Sequence, residues 1–215
     1  MGIRNIVREI TVKPWLVNDY TREGVEVDEE EMAQWAAPTA LRVYFAIASV
    51  MFSLIVVMYL MRMGWGHPEF GFDWEPTPKP WLLWVNTAIL VLTSYVFERA
   101  RRAARQADTI RLQIQLLGAG LLSFLFLAGQ LLVWRELIAG GYYVNTNPAN
   151  AFFYLITTFH GLHVLGGLVA WTRTIGKVWN GVEMRKVGLS VDLCAIYWHF
   201  LLLVWGVMFS LMLRT

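Results

Sequence analysis

Five long runs of apolar residues alternate with polar segments along the chain. A helix needs about 20 mostly apolar residues to cross a bilayer, and each run comes close to that length. The pattern predicts an all-α, polytopic membrane protein built as a bundle of five transmembrane helices. We expect a polar arm at 1–40, then a transmembrane domain at 41–215 with spans at about 41–61, 80–97, 116–137, 150–172 and 190–213.

Positive charge is distributed unevenly among the polar segments. Fourteen of the 18 lysine and arginine residues lie in residues 1–42, in the segment after the second span, or in the segment after the fourth. Lysine and arginine accumulate on the cytoplasmic side of membrane proteins. The distribution therefore predicts a cytoplasmic N-terminus and arm, and a C-terminus outside, as an odd number of spans requires.

The composition disfavours several classes of protein. The chain is 57% hydrophobic with a mean hydropathy of +0.47, values that are unusual for a soluble domain. The sequence has no phosphate-binding loop, dinucleotide fingerprint or CxxCH haem attachment motif, and nothing indicates a nucleic-acid partner. The interiors of the predicted spans contain no proline, which disfavours transporters with broken helices. The single cysteine, Cys194, has no disulfide partner.

A basic stretch follows the second predicted span. The run ERARRAARQADTIRLQIQ is rich in good helix formers, so the helix is expected to continue beyond the lipid. The simplest role for this stretch is a charged helical hairpin that fixes the topology. Arginines at a membrane surface also attract anionic headgroups, and four are candidate lipid contacts: Arg99, Arg101, Arg102 and Arg105.

Three histidines lie deep in the last two spans. His160 and His163, in TTFHGLHVLGG, are roughly 15–20 Å into the fourth span, and His199 is roughly 14 Å into the fifth, at about 1.5 Å per residue. All three fall near the midplane, so they would meet if the last two helices packed with these faces together. The glycine-rich stretch after His160 would allow such an approach.

Three interpretations of these histidines remain open from the residues alone. They are metal or haem ligation, a proton relay, and hydrogen bonding between helices by neutral imidazoles. The third is favoured, since the spans offer no cysteine cluster and few other titratable groups near the midplane. The candidate structural polar contacts inside the membrane are therefore His160, His163, His199, Gln130, Asn86 and Trp198.

Four stretches resemble one known family. They are WVNTAILVLTSYVFERA at 84–100, GQLLVWRE at 129–136, FHGLHV at 159–164 and YWHFLLLVW at 197–205. In their order and spacing they resemble subunit III of the haem-copper oxidases, the cytochrome c oxidase family. Five spans are similar to the short bacterial form, which lacks the two leading helices of the seven-span version.

The resemblance implies a subunit with no catalytic residue and no redox cofactor of its own. Such a chain would belong to a respiratory terminal oxidase of the bacterial inner membrane, which reduces oxygen to water and pumps protons. Haems and copper would be on the partner subunits, and this chain would pack on subunit I in a complex with subunit II. It would bind phospholipid and stabilise the complex, and its histidines would be structural contacts.

The sequence departs from the family at three carboxylate positions. The Asp that often follows the Trp-His-Phe triplet by two residues is Leu202, and two further carboxylates align with Ser49 and Val133. These changes weaken any expectation that this chain moves protons itself.

The alternative functions to an oxidase subunit are an accessory subunit of a nitric oxide reductase system, a histidine-ligated membrane metal or haem protein, and a transporter. The arm and the proline-rich loop at 63–81 are candidate contacts with complex-specific partners.

Overall fold

The computed structural model describes residues 29–65, 71 and 73–214, with side chains described from residue 35 onward. The described residues form five helices and no strand, so the predicted all-helical fold is confirmed. Most of the expected polar arm, residues 1–28, lies outside the described residues. The helices are α1 Glu29–Arg62, α2 Leu82–Arg105, α3 Thr109–Ala139, α4 Pro148–Trp179 and α5 Met184–Leu213.

Four of the five helices are long and apolar enough to cross a membrane. They are α1 from Trp35 onward, α3, α4 and α5. Helix α2 corresponds to the second predicted span, but within the described part of the chain it is not apolar enough to be counted among the helices that could cross a membrane. Buried polar side chains such as Asn86, Thr93 and Ser94, and its arginine-rich last turns, lower its hydropathy. Its crossing of the membrane remains a prediction.

The helices extend beyond the predicted spans at their polar ends. Helix α1 begins at Glu29, well inside the segment assigned to the arm, and contains Pro38. Helix α2 continues to Arg105, as the basic stretch predicts. Helix α3 then begins after Asp108, whose side chain accepts a hydrogen bond from the Arg111 amide at 3.0 Å, an N-cap that satisfies one of the first unpaired backbone donors.

Helices α2, α3, α4 and α5 pack as a ring in which each helix contacts two others. Helix α2 packs against α3 and α5, and α4 packs against the same two helices. Three glycines allow this approach, because a side chain at Gly120, Gly129 or Gly167 would overlap a large group on the facing helix. At Gly167 a Cβ atom would lie 2.7 Å from the Tyr197 ring and 2.8 Å from the Trp198 ring.

Helix α1 contacts this ring more loosely. Ala48, Phe52, Ile55 and Tyr59 are buried, and their spacing of three and four residues places them on one side of the helix. This side packs on α4 and α5 through residues such as Ile156, Val204 and Met208. The opposite side of α1 is exposed and apolar, with Val43, Ile47, Val50, Leu54 and Met58.

Candidate functional site

His160 is a packing group in the core of the bundle. Its imidazole lies edge-on to Phe126, with ring centroids 5.7 Å apart, and 5.0 Å from the Trp205 ring. The side chain is almost completely buried, and neither ring nitrogen has a hydrogen-bond partner among the described residues. The interhelical hydrogen bond expected from the sequence is therefore not found at this residue.

His163 points towards α1. Its Nδ1–H donates to the Phe159 carbonyl at 2.6 Å, because a carbonyl oxygen can only accept. The ring lies 5.0 Å from Phe52 and 6.0 Å from Tyr44, measured between centroids. The Tyr197 hydroxyl donates to the backbone carbonyl of His163 at 2.8 Å. The side-chain hydrogen bond of His163 thus stays within α4, while its ring packs against α1.

His199 lies on a third side of the bundle, at the contact between α5 and α2. Its Nδ1 is hydrogen-bonded to the Ser94 hydroxyl, and its Nε2 lies 3.6 Å from Oε2 of Glu98. This is the one histidine whose ring makes a polar contact to another helix in the part of the chain that the structure describes. The three imidazoles therefore occupy separate environments and do not converge.

A chain of charged groups continues from His199 along the α2–α5 contact. Glu98 lies 3.5 Å from both Arg101 and Arg102, and Asp192 of α5 lies 2.8 Å from Arg101 and 3.7 Å from Arg105. We call this set, together with Ser94 and His199, the polar seam. Three of the four candidate headgroup arginines therefore have a carboxylate partner, although Arg102 and Arg105 remain mostly exposed.

The other candidate polar contacts differ in how well they are satisfied. Asn86 donates to Gln130 across α2 and α3 at 3.4 Å, and the Asn86 side chain packs where Gly129 has no side chain. Trp198 stacks on Phe97, with centroids 4.2 Å apart, and its indole nitrogen has no partner among the described residues. Trp198 therefore contributes packing rather than a hydrogen bond.

Indole donors make most of the remaining interhelical hydrogen bonds in the core, and the sequence reasoning did not select them. Trp205 donates to the Thr87 hydroxyl at 3.0 Å, Trp134 to the Thr157 hydroxyl at 3.0 Å, and Trp171 to a backbone carbonyl of α3 at 2.8 Å. Asp192 was also missed. An acidic residue inside a predicted span was the available signal, because such a residue requires a partner.

Polar contacts also fix the end of the bundle that carries the loop between α1 and α2. Asp73 accepts from the Arg62 guanidinium at 2.6 Å, and this hydrogen bond holds the pKa of Asp73 below its ordinary value of 3.8. The Thr77 hydroxyl donates to Asn150 at 2.8 Å, and Lys79 donates to the carbonyl of Leu213 at 3.0 Å. The described part of this loop is thus tied to α1, α4 and α5.

The arrangement supports helix packing better than chemistry. The described residues contain no group of three or more His, Cys, Asp and Glu side chains that would hold a metal ion. The environment of His160 does not suit an axial haem ligand, because rings of Phe126 and Trp205 pack directly on the imidazole. His163 and His199 are turned towards other helices.

Comparison with known proteins agrees with the motifs. A family model described as cytochrome c oxidase subunit III matches residues 18–213. Cytochrome c oxidase subunit 3 of Synechocystis sp. is 34% identical over 146 residues, which cover 64% of this chain and 60% of that protein. The corresponding protein of Thermostichus vulcanus is 29% identical over 179 residues, 80% of this chain and 84% of that protein.

A third relative combines two subunits in one polypeptide. Heme-copper oxidase subunit I+III of Aeropyrum pernix is 26% identical over 219 residues, which cover 96% of this chain and 26% of that protein. The family match takes in all five helices from the first described residue to Leu213. The resemblance inferred from the four motifs is therefore confirmed, and the chain belongs to the cytochrome c oxidase subunit III family.

Proposed function

We propose that this chain is a non-catalytic, stabilising subunit of a respiratory haem-copper terminal oxidase that reduces oxygen to water and pumps protons. The observation that carries the proposal is the family match over residues 18–213. The described contacts support it, because motif residues such as Asn86, Gln130 and Trp205 join helices to one another. Haems and copper would be held by the partner subunits.

The proposed partners are oxidase subunits I and II. Packing against subunit I is supported by the Aeropyrum pernix relative, whose name describes subunits I and III in one chain. A single polypeptide keeps the two parts together in one membrane, which favours a permanent contact between them. Subunit II enters the proposal through family membership alone.

Phospholipid is proposed as a bound component at the basic end of α2. The Arg102 and Arg105 side chains remain largely exposed although each lies near a carboxylate, so their guanidinium groups can also bind a phosphate. With Arg99 they form a basic edge next to the apolar outer surface of α2. This geometry suits a lipid whose acyl chains lie along the helix.

The proposed location is the bacterial inner membrane, with the N-terminus in the cytoplasm. The supporting observation is that the arginine-rich turn between α2 and α3 and the basic residues around the α4–α5 turn lie at the same end of the bundle, since Arg101 and Arg105 of α2 reach Asp192 of α5. Positive residues at one end of a membrane bundle mark the cytoplasmic side.

The test is affinity purification of the full chain from its native membrane in mild detergent, followed by subunit identification and an optical spectrum. We expect a large haem-bearing subunit to co-purify, with oxygen reduction as the activity of the complex. After separation in denaturant-free conditions, this chain should carry no haem absorption and no bound copper or iron. A chain that purifies alone with its own chromophore, or with a nitric oxide reductase, would contradict the proposal.

A further inference from the structure

Several polar atoms in the core of the ring have no hydrogen-bond partner among the described residues. Four of them belong to three side chains: Oδ1 of Asn86, Nε2 of Gln130 and both ring nitrogens of His160. These side chains are at most 4% exposed, so neither lipid nor bulk water reaches them. A polar group that is buried without a partner costs at least as much free energy as a hydrogen bond contributes. The grouping therefore calls for a further hydrogen-bonding partner inside the ring.

The register of α3 against α4 places Gln130 level with His160. Phe126 of α3 meets His160 of α4. Further along α3, Trp134 donates to Thr157, which precedes His160 by about one turn. Gln130 lies midway between Phe126 and Trp134, about 6 Å from each along the helix, and it shares the buried side of α3 with Phe126. Its amide and the imidazole of His160 therefore enter the core at nearly the same level.

Helices α2 and α5 complete the same layer. The Trp205 ring of α5 lies 5.0 Å from the His160 ring, measured between centroids, and its indole donates to the Thr87 hydroxyl of α2 at 3.0 Å. The residue before Thr87 is Asn86, which donates to Gln130 at 3.4 Å. These contacts connect all four helices of the ring at one level. The four atoms without partners are thus gathered in a single layer of the core.

The chemistry of these atoms identifies the kind of ligand. The Oδ1 of Asn86 only accepts hydrogen bonds, the Nε2 of Gln130 only donates them, and a neutral imidazole offers one donor and one acceptor. The ligand must therefore both donate and accept. A metal ion would bind the acceptors but not the N–H groups. A water molecule satisfies both kinds of atom and typically makes about three hydrogen bonds when it is buried.

The layout of the ring shows where such a molecule would lie. Helices α2 and α4 are diagonally opposite, because the close helix pairs of the ring all involve α3 or α5. The interior between α2 and α4 is therefore spanned by side chains rather than by closely packed backbones. Asn86 approaches this interior from α2 and His160 from α4, and both are buried there.

We propose that the core of the ring is a binding site for a water molecule that bridges the imidazole of His160 and the Asn86–Gln130 amide pair. A hydrogen bond through water is nearly as favourable in enthalpy as a direct one. One molecule in this place joins α2, α3 and α4. The interhelical bond that the sequence predicts for His160 is then made through water, and the rings of Phe126 and Trp205 enclose the site.

The first test is a density map of the complex that contains this chain, recorded by electron cryo-microscopy at a resolution that shows ordered water. We expect a separate peak about 2.7–3.2 Å from one ring nitrogen of His160 and from the Gln130 amide. A map in which His160 bonds directly to Gln130 would overturn the proposal. So would a map in which only carbon atoms surround the imidazole.

The second test is a double-mutant cycle of His160→Phe and Gln130→Leu, measured by thermal unfolding of the full chain in detergent. Either change alone removes partners of the water and should lower the Tm. Once one change is made the other has less to remove, so the double variant should lose at least about 3 °C less than the sum of the two single losses.

The matched control cycle combines His160→Phe with Trp171→Phe. Trp171 lies on the same helix, about 16 Å from His160 along its axis, and donates to a different layer at Leu116. The two losses in Tm should add to within about 1–2 °C, as they do for independent sites.

The two tests complement each other. Additive losses for His160→Phe and Gln130→Leu would overturn the proposal, because two groups that share a bridging molecule are coupled. If a variant does not fold, the map of the unaltered protein decides. The cycle needs no partner subunit, so its outcome is independent of the proposed function, which fails if no haem-bearing subunit co-purifies.

Discussion

Helix α1 contacts its neighbours mainly through aromatic and aliphatic side chains, whereas the contact between α2 and α5 adds charges and hydroxyls to its aromatic packing. Phe45 stacks on Phe200 with centroids 4.4 Å apart. The backbone of α1 nevertheless lies farther from the backbones of α4 and α5 than neighbouring helices of the ring lie from one another. Along the polar seam, by contrast, Arg101 reaches Asp192 at 2.8 Å.

This difference explains why composition alone misleads about the two helices. Helix α1 has the highest hydropathy of the four membrane-capable helices and is the least buried of them. Helix α2 is not apolar enough to be counted among the membrane-capable helices, yet it packs closely against α3 and α5. Between lipid and protein the apolar driving force is small, so polar bonds and small residues hold membrane helices together. The helix that is better packed is therefore the more polar one.

The largest effect is expected from overpacking inside the ring. Gly167→Leu would force a side chain into the rings of Tyr197 and Trp198, and Trp198 is fully buried and cannot move aside. We expect a loss of about 3 kcal/mol in the free energy of unfolding, measured by thermal or denaturant unfolding in detergent. The control is Gly176→Leu on the same helix, where the added side chain meets open space; an equal loss there would contradict the packing argument.

A smaller loss in the free energy of unfolding is expected when the polar seam is altered. Arg101→Met removes the 2.8 Å partner of Asp192 and one partner of Glu98, leaving both carboxylates less well compensated. The cost should be about 1–2 kcal/mol, between the values of exposed and buried ion pairs. Arg102→Met, at a mostly exposed arginine, serves as the control and should cost less than about 0.5 kcal/mol. Two equally small losses would show that the seam adds little to stability.

At the α1 contact we expect detachment without unfolding. Phe52→Ala removes a buried ring that touches His163, and lipid tails can replace the lost apolar contact, so the cost should be about 1 kcal/mol. The protease sensitivity of α1 should rise while the ring α2–α5 keeps its thermal transition. Leu54→Ala on the exposed side of α1 should change neither property. Cooperative unfolding of all five helices in the Phe52 variant would show that α1 is an integral part of the ring.

The smallest effect is expected at the exposed Asp73–Arg62 pair. The folded pKa of Asp73 lies below 3.8 because Arg62 donates to it, so the stabilisation is complete above that value and is lost as the pH falls through the lower folded pKa. Lowering the pH from about 7 to about 5 should therefore leave Trp74 fluorescence unchanged. Asp73→Asn should alter it at neutral pH, and Glu75→Gln should not. A transition of the unaltered protein between these pH values would contradict the assignment.

The sequence predicted most of the helices because lipid imposes a simple length and composition rule on them. It did not predict which helix each polar side chain would contact. His160 and His163 are three residues apart, yet they face different neighbours because α3, α5 and α1 are arranged around α4 in a way that hydropathy does not encode.

The prediction of polar contacts was better for some residues than for others, for a physical reason. Asn86 and Gln130 were selected individually from the sequence because an amide inside a span has few other ways to be satisfied in lipid, and the structure pairs the two. The indole donors of Trp134 and Trp171 were not, since tryptophan in a membrane protein is equally typical of the interfacial belt. An interfacial tryptophan and one that donates between helices differ only in their depth in the membrane and in the helix they face. Both properties are known only once the fold is known.

The central claim is that the deep histidines hold structure and take no part in chemistry, and His160→Phe tests it most directly. The variant keeps a ring between Phe126 and Trp205 and removes two nitrogens that have no described partner. In the purified oxidase complex we predict an unchanged haem spectrum, unchanged copper content and an initial oxygen-consumption rate per haem equal to that of the unaltered complex. Full assembly with a lost metal, an altered spectrum or a greatly reduced rate would contradict the account.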